Sequence, residues 1–311
     1  MRRLAAPLRL TWDWDWPPIV HPGAPPRRPP PEAVRAIGAE IVRAGILLLE
    51  VGYPDAGALR SGELAAALAG FPGSLSLVLA PAAAGELAES RPWEALGVED
   101  VWLDATPGDV PLPPELEAWP AVRFFLTGTN IEAVAEGIER ALAGGATAVS
   151  LPNLPLFGDL LRNAAGAAPG GEQLAALAAR MAAALRGRPG IDLRVHHYGL
   201  WQLLEAAGVR PAGDGGEGGG CQAGAALGYV DPAGILHPCA SLPVPLARVG
   251  EGAIRAAWAG AELAALREAI ARLPDRCAGC PCEAPCRGGC RGWAHYLHHS
   301  WNATGPDCTR P

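Results

Sequence analysis

Seven cysteines in the last third of the chain fall on one spacing: Cys221, twelve residues, Gly234, four residues, Cys239, then Cys277-x2-Cys280-x5-Cys286-x3-Cys290, and after a further gap Cys308. An eighth, Cys282, stands off the pattern. Thiolate is the soft ligand that selects iron–sulfur clusters or zinc, and each cluster takes about four of them. The set is large enough for two sites. No cysteine precedes Cys221, so any cysteine-bound chemistry belongs to the C-terminal third.

The 311 residues suffice for one large domain or two smaller ones, and the one-sided distribution of cysteine argues for two. The longest apolar runs, such as LAALAARMAAAL, are broken by Arg or Pro before they could span a bilayer, and MRRLAAPLRL lacks the apolar stretch of a secretory signal. A soluble cytoplasmic protein is expected. In that reducing compartment paired CxxC cysteines are metal ligands and not disulfides. A net charge of −7 without a basic stripe leaves no footprint for nucleic acid or an anionic membrane. All 25 basic residues are Arg, which excludes Schiff-base and P-loop lysine chemistry.

Between residues 8 and 197, short apolar runs alternate with amphipathic segments, the pattern of repeated βα units on a parallel sheet. The spacing predicts strands at LRLTWDW (8–14), ILLLEVG (46–52), SLSLVLA (74–80), VEDVWLDA (98–105), VRFFLTG (122–128), TAVSLPN (147–153) and IDLRVHH (191–197). Helices are predicted at PEAVRAIGAEIVRAG, SGELAAALAGF, IEAVAEGIERALAGG and GEQLAALAARMAAALRG. Such a series builds a barrel, open or closed, or a doubly wound sheet. Two segments break the rhythm: a Pro-rich connection, HPGAPPRRPPPE (21–32), and a Gly-rich linker, PAGDGGEGGG (211–220), which marks a domain boundary.

The order of motifs in the cysteine region resembles the SPASM domain, the auxiliary-cluster domain attached to many radical S-adenosylmethionine (SAM) enzymes that modify ribosomally made peptides. CQAG at Cys221, YVDPAGILHPC ending at Cys239, RVGEGAIRAAWAGAELAALREAI, CAGCPCEAPCRGGCRGWA and PDC at Cys308 carry that resemblance. The first 200 residues are similar to the partial (βα)6 barrel that precedes SPASM in those enzymes, with VGYPDAGAL standing where the SAM-contacting GGEP turn follows the second strand. The fold class this implies is α/β: a radical SAM-like (βα)6 barrel over 1–210, the linker 211–220, and a small cysteine-rich SPASM domain over 221–311.

The chain departs from those enzymes at one place. They carry CxxxCxxC in the loop after the first strand, where three thiolates hold the SAM-cleaving 4Fe-4S cluster; here the loop is DWPPIVHPGAPPRRPPPE, without a cysteine. In the GGEP-like turn Gly52 and Pro54 remain, but Val51 stands for the first Gly and Tyr53 for the acidic residue. A degenerate barrel of this kind resembles the SPASM domain protein of the GeoRSP system. The resemblance implies a non-catalytic accessory protein holding one or two 4Fe-4S clusters and no SAM. Its expected partners are an intact radical SAM/SPASM maturase, a precursor peptide and a PqqD-like protein. Rival readings are an enzyme using an open auxiliary cluster and a structural zinc protein.

Carried over by motif, the resemblance implies that Cys277, Cys280, Cys286 and Cys308 hold an outer cluster while Cys221, Cys239 and Cys290 contribute to an inner one. Related domains complete the inner site with a further upstream cysteine, which PAGDGGEGGG lacks; Asp214 or Glu217 could substitute, or the site could be open or empty. Cys282 is a spare thiol in the outer loop. His295 and His298, at i, i+3, are candidates for ligation or for second hydrogen bonds around a metal, with His299 beside them. TWDWDW alternates, placing Trp12, Trp14 and Trp16 on one face and Asp13 and Asp15 on the other. If the Trp face packs under helices, Asp13 and Asp15 point into a barrel mouth that Tyr53, Asp104, Asn130 and Asn153 could also line, unless these polar residues serve caps and loops. His196 and His197 close the seventh strand, where packing is the simpler role.

Overall fold

The structure, a computed structural model, describes residues 4–21, 29–106, 116, 118–211, 220–306 and 308. Most of the Pro-rich connection and of the Gly-rich linker, with Asp214 and Glu217, lies outside the described residues.

From the N-terminus the elements are β1 (Arg9–Asp13), α1 (Pro31–Ala44), β2 (Leu48–Gly52), α2 (Ala56–Arg60), α3 (Glu63–Ala67), β3 (Ser74–Leu79), α4 (Pro81–Leu87) and β4 (Asp100–Asp104). Next come β5 (Ala121–Arg123), α5 (Ile131–Gly144), β6 (Ala148–Leu151), α6 (Gly158–Arg162), α7 (Ala164–Ala167), α8 (Gly171–Leu185), β7 (Asp192–Val195) and α9 (Tyr198–Ala206). The cysteine-bearing segment adds β8 (Leu227–Val230), β9 (Ile235–His237), β10 (Ala247–Arg248), α10 (Ala253–Ala259), α11 (Ala261–Ala271), α12 (Glu283–Cys286) and α13 (Arg291–His298). This is the mixed α/β architecture that the alternating pattern predicts, with its strands paired mostly in parallel. Among the described residues no helix is long and apolar enough to cross a membrane.

Packing divides the chain into two compact units, Met1–Trp102 with Gln222–Ala269, and Leu103–Cys221 with Ile270–Pro311. Each unit thus combines βα repeats with part of the cysteine-bearing segment.

In the first unit the strand order is β10-β9-β8-β1-β2-β3. β1 is hydrogen-bonded in parallel on both sides, Arg9 opposite Leu48 of β2 and Leu227 of β8, while β8–β9 and β9–β10 are antiparallel. Residues in register across parallel strands present their side chains to the same face. On one face this aligns Leu10 and Trp12 with Leu49, Val51 and Val230, all buried; on the other it aligns Thr11 with Glu50 and Tyr229. The second face is polar yet buried, with Asp13 and Glu50 hardly exposed and Tyr229 fully enclosed. α1 buries Val34, Ile37 and Ile41, spaced to lie along one helical stripe. It approaches α3 closely at Gly38, where a Cβ would run into the backbone of Ala67.

In the second unit β4, β5, β6 and β7 pair in parallel, with Leu103 opposite Val122, Val122 opposite Val149 and Ala148 opposite Asp192. β5 stops at Arg123, earlier than VRFFLTG suggests, although Phe124, Phe125 and Leu126 are buried. The reason is local. The Phe125 N–H turns to the Thr106 hydroxyl at 2.9 Å, and the Asn130 side chain closes the turn by accepting from Thr127 N at 2.8 Å and donating to Phe125 O at 3.0 Å.

Candidate functional site

In the first unit, the C-terminal ends of the parallel strands β1 and β2 are where α/β sheets place their ligands. Here that end is filled by the protein's own side chains. The Tyr229 hydroxyl donates to Asp13 Oδ2 at 2.8 Å, and both residues are buried. Burial first, then the Asp13 carboxylate beside it, push the Tyr229 phenol well above its ordinary range. At Gly52 a Cβ would overlap the Asp13 carboxylate, so this turn needs glycine for room. The next residue, Tyr53, is buried and takes a left-handed backbone at φ 57°, a conformation costing a non-glycine residue about 1 kcal/mol. Asp13 thus faces inward as the alternation suggests, but into a closed contact. Asp15, beyond the strand, is half-buried and accepts from Trp16 N at 2.8 Å.

Tyr229→Phe leaves the buried Asp13 carboxylate short of a donor and is expected to lower stability by about 1–3 kcal/mol. The raised phenol pKa adds a second signature. Stability tied to Tyr229 is intact below pH about 10, where the unfolded tyrosine ionises, and falls as pH rises beyond it. Urea titrations should therefore show a flatter alkaline limb in Tyr229→Phe than in wild type.

Near Tyr229, His237 Nε2 lies 3.0 Å from Asp231 Oδ2, and Asp231 Oδ1 accepts from Ile235 N at 2.9 Å, shaping the turn between β8 and β9. Cys239 follows this turn in the first unit and bridges to Leu242.

The other seven cysteines belong to the second unit. A series of tight turns steps the chain from one to the next: Cys280 N donates to Cys277 O, Glu283 N to Cys280 O, Cys286 N to Cys282 O and Gly289 N to Cys286 O, all at 2.9–3.0 Å. The C-terminal tail returns to the loop through Gly305 N to Gly288 O at 2.8 Å, and Cys308 N closes on Gly305 O. Asn302 fastens the tail further, accepting from Asp275 N and donating to Asp275 Oδ2, both at 2.8 Å. Cys308 and Cys280 both lie within electrostatic reach of the Cys277 thiol. Burial, then the charges of Cys308 and Cys280, push the Cys277 thiol up.

Cys282, surplus by spacing, is held by α9. The Gln202 side-chain amide donates to its sulfur and the Tyr198 hydroxyl is hydrogen-bonded to it. Burial, followed by the neighbouring Cys282 and Cys286 sulfurs, keeps Tyr198 protonated far above the ordinary phenol range. Tyr198 and Gln202 lie one helical turn apart, a pair that sequence reading missed; the i, i+4 spacing of two donors straight after a strand was the available signal.

Of the histidines beside the last cysteines, one is packed and two are exposed. His295 stacks on Trp301 with ring centroids 4.1 Å apart, and burial, then His299, lower its pKa; His298 and His299 are exposed. Asp104 is buried and turned to Thr106 N at 3.1 Å, and Asn130 is spent on its turn. Asn153 and His197, from the ends of β6 and β7, instead line a cavity of about 10 Å³ together with Cys290 and Trp293, room for little more than a water. His196 N bonds back to Leu151 O at 3.0 Å.

Among the described residues no three His, Cys, Asp or Glu side chains converge closely enough to hold a metal ion as they stand. The donor set is nevertheless of one kind. Neighbouring thiols suit iron–sulfur or zinc and not a hard, oxygen-seeking cation. The loop after β1 offers no thiol for a SAM-cleaving cluster, so that group does not fit there.

No protein-family description matches the chain, and no curated protein matches it. Solved structures do. Streptococcus suis SuiB, determined bound to S-adenosylmethionine, is 12% identical with a TM-score of 0.62, the match covering 98% of this chain and 78% of SuiB. Native anSMEcpe, determined with AdoMet and the Cp18Cys peptide, is 11% identical with a TM-score of 0.64 over 97% of this chain and 94% of its own. The fold is theirs. It is a mixed α/β fold with strands paired mostly in parallel, as the strand pattern leads one to expect, and at such low identity the likeness establishes fold alone.

Proposed function

We propose that this chain is an iron–sulfur accessory protein of a peptide-maturation system, a partner of an intact radical SAM/SPASM maturase and its precursor peptide, and not itself a SAM-cleaving enzyme. One observation carries the reading. A fold shared with two SAM-bound proteins is kept across nearly the whole chain, while the loop that would supply the SAM-cleaving thiolates has none and the adjoining strand ends are plugged by Asp13, Tyr53 and Tyr229. Loss of chemistry with retention of shape leaves binding as the function that still uses the shape.

Cys277, Cys280, Cys286 and Cys308, all of the second unit, would hold one cluster, and Cys221, Cys239 and Cys290 are assigned to an inner one by motif alone. When bound, such a group supplies one-electron transfer or a structural brace. The chain's own contribution is the turn series that sets the thiols in sequence, and the Gln202 and Tyr198 donors around Cys282.

The test has two arms. Under strong reductant and anaerobic conditions the isolated protein is expected to form no 5′-deoxyadenosine from SAM; product from this chain alone would end the accessory reading. Co-expression with an intact radical SAM/SPASM maturase and its precursor peptide should recover a specific complex. If none forms, and deleting the gene leaves peptide maturation unchanged, the partnership is wrong.

A further inference from the structure

Arg291 is the first residue of α13 and, at 1% exposure, one of the largest fully buried side chains of the protein. Its guanidinium donates to the carbonyl oxygens of Ala303 and Trp301, while Nε is buried without a hydrogen-bond partner. Among the described residues no carboxylate pairs with it. A buried permanent cation without an anion is among the costliest arrangements a fold can hold, and a helix N-terminus, itself partly positive, is the wrong end for one. Thiols surround it: Cys290 is its chain neighbour, and Cys221, Cys277 and Cys290 lie within its electrostatic reach, as does His295.

We propose that Arg291 is the built-in counter-charge of a thiolate-bound group in this cysteine loop, a positioning residue that offsets the negative charge of the cluster and favours its reduced form. The inference rests on the iron–sulfur reading above. Neutral thiols cannot balance a guanidinium, whereas thiolates gathered on a metal stay ionised and carry net negative charge into the buried site. Adding one electron, without a proton, deepens that charge, and a fixed cation nearby makes the addition easier.

The experiment uses the full chain as wild type, Arg291→Lys and Arg291→Met, each loaded anaerobically with ferrous iron and sulfide. Iron content is measured, then the midpoint potential by dithionite titration, and the melting temperature with and without iron. Arg291→Met is expected to disfavour reduction at least tenfold, about 59 mV for a one-electron couple, while Arg291→Lys stays within about threefold of wild type. A merely structural anchor would lower both melting temperatures and leave the potential alone. Should Arg291→Met fail to fold, Arg291→Gln takes its place, since its amide can still donate to a backbone carbonyl but carries no charge: reduction disfavoured about tenfold supports the charge role, and a wild-type potential overturns it. An Arg291→Met chain that loads and keeps the wild-type potential overturns this inference alone. A wild type that takes up no iron overturns both it and the iron–sulfur reading.

Discussion

Wild-type protein prepared without oxygen is expected to be brown, with iron and acid-labile sulfide, and Cys277→Ala to lose most of both. Cys277 is the buried thiol among its neighbours, flanked electrostatically by Cys308 and Cys280, so its removal takes away the ligand best shielded from water. Metal binding and folding are coupled wherever the loaded site exists only in the folded chain. A cluster at a thousand times its dissociation constant adds about 4 kcal/mol, which at a few degrees per kcal/mol is roughly 10 °C of melting temperature. Cys277→Ala should forfeit that increment, and Cys286→Ala likewise. Cys282→Ala is the control. Its sulfur is engaged by Gln202 and Tyr198 and lies outside the ligand set, so the variant should keep its iron. Metal analysis and thermal melts decide the matter. A colourless protein with stoichiometric zinc would replace the cluster by a structural metal, and iron lost equally from Cys282→Ala would redraw the ligand set.

Much of the fold could be read in the sequence because parallel βα repeats write themselves locally. Each of the seven expected strands contains an observed one or overlaps it, since a buried parallel strand needs a short apolar run and the helices between need a repeating stripe. VRFFLTG misled at its end because the Thr106 hydroxyl, 19 positions away, captures the Phe125 N–H, and no local pattern announces such a capture. YVDPAGILH was legible as a motif and silent about its structural task. Its strand β8 lies beside β1, a pairing across more than two hundred residues that gives β1 its second neighbour. The cysteines were legible as donors because ligand spacing is local. Arg291 was not: its burial depends on the tail returning to offer two carbonyls, and in the sequence it is one more Arg among glycines.

The same distance hides the contact expected to matter most to the first unit. Glu40 of α1 is 1% exposed and accepts from Gly252 N at 2.8 Å and Ile254 N at 3.1 Å, the start of α10, 212 and 214 positions away. The first amides of a helix have no partner within it, and a carboxylate there satisfies them and suits the positive end of the dipole. Ordinarily the residue before the helix does this; that residue here is Gly252, which has no side chain to offer. Glu40→Ala therefore strands two amides, one of them buried, and should lower stability by about 3–5 kcal/mol in urea denaturation followed by tryptophan fluorescence. Glu40→Gln keeps one acceptor and should cost about half as much. Arg43 also bonds the carboxylate, at 3.2 Å, but its side chain is half exposed, so Arg43→Ala should cost under about 1 kcal/mol. The ordering of these three variants separates a cap from a simple ion pair. If Arg43→Ala proves as damaging as Glu40→Ala, the ion pair within α1 carries the effect; if Glu40→Ala dominates, a side chain of the first helix is what begins α10, and residues 222–269 depend for their folding on the N-terminal repeats they follow so far behind.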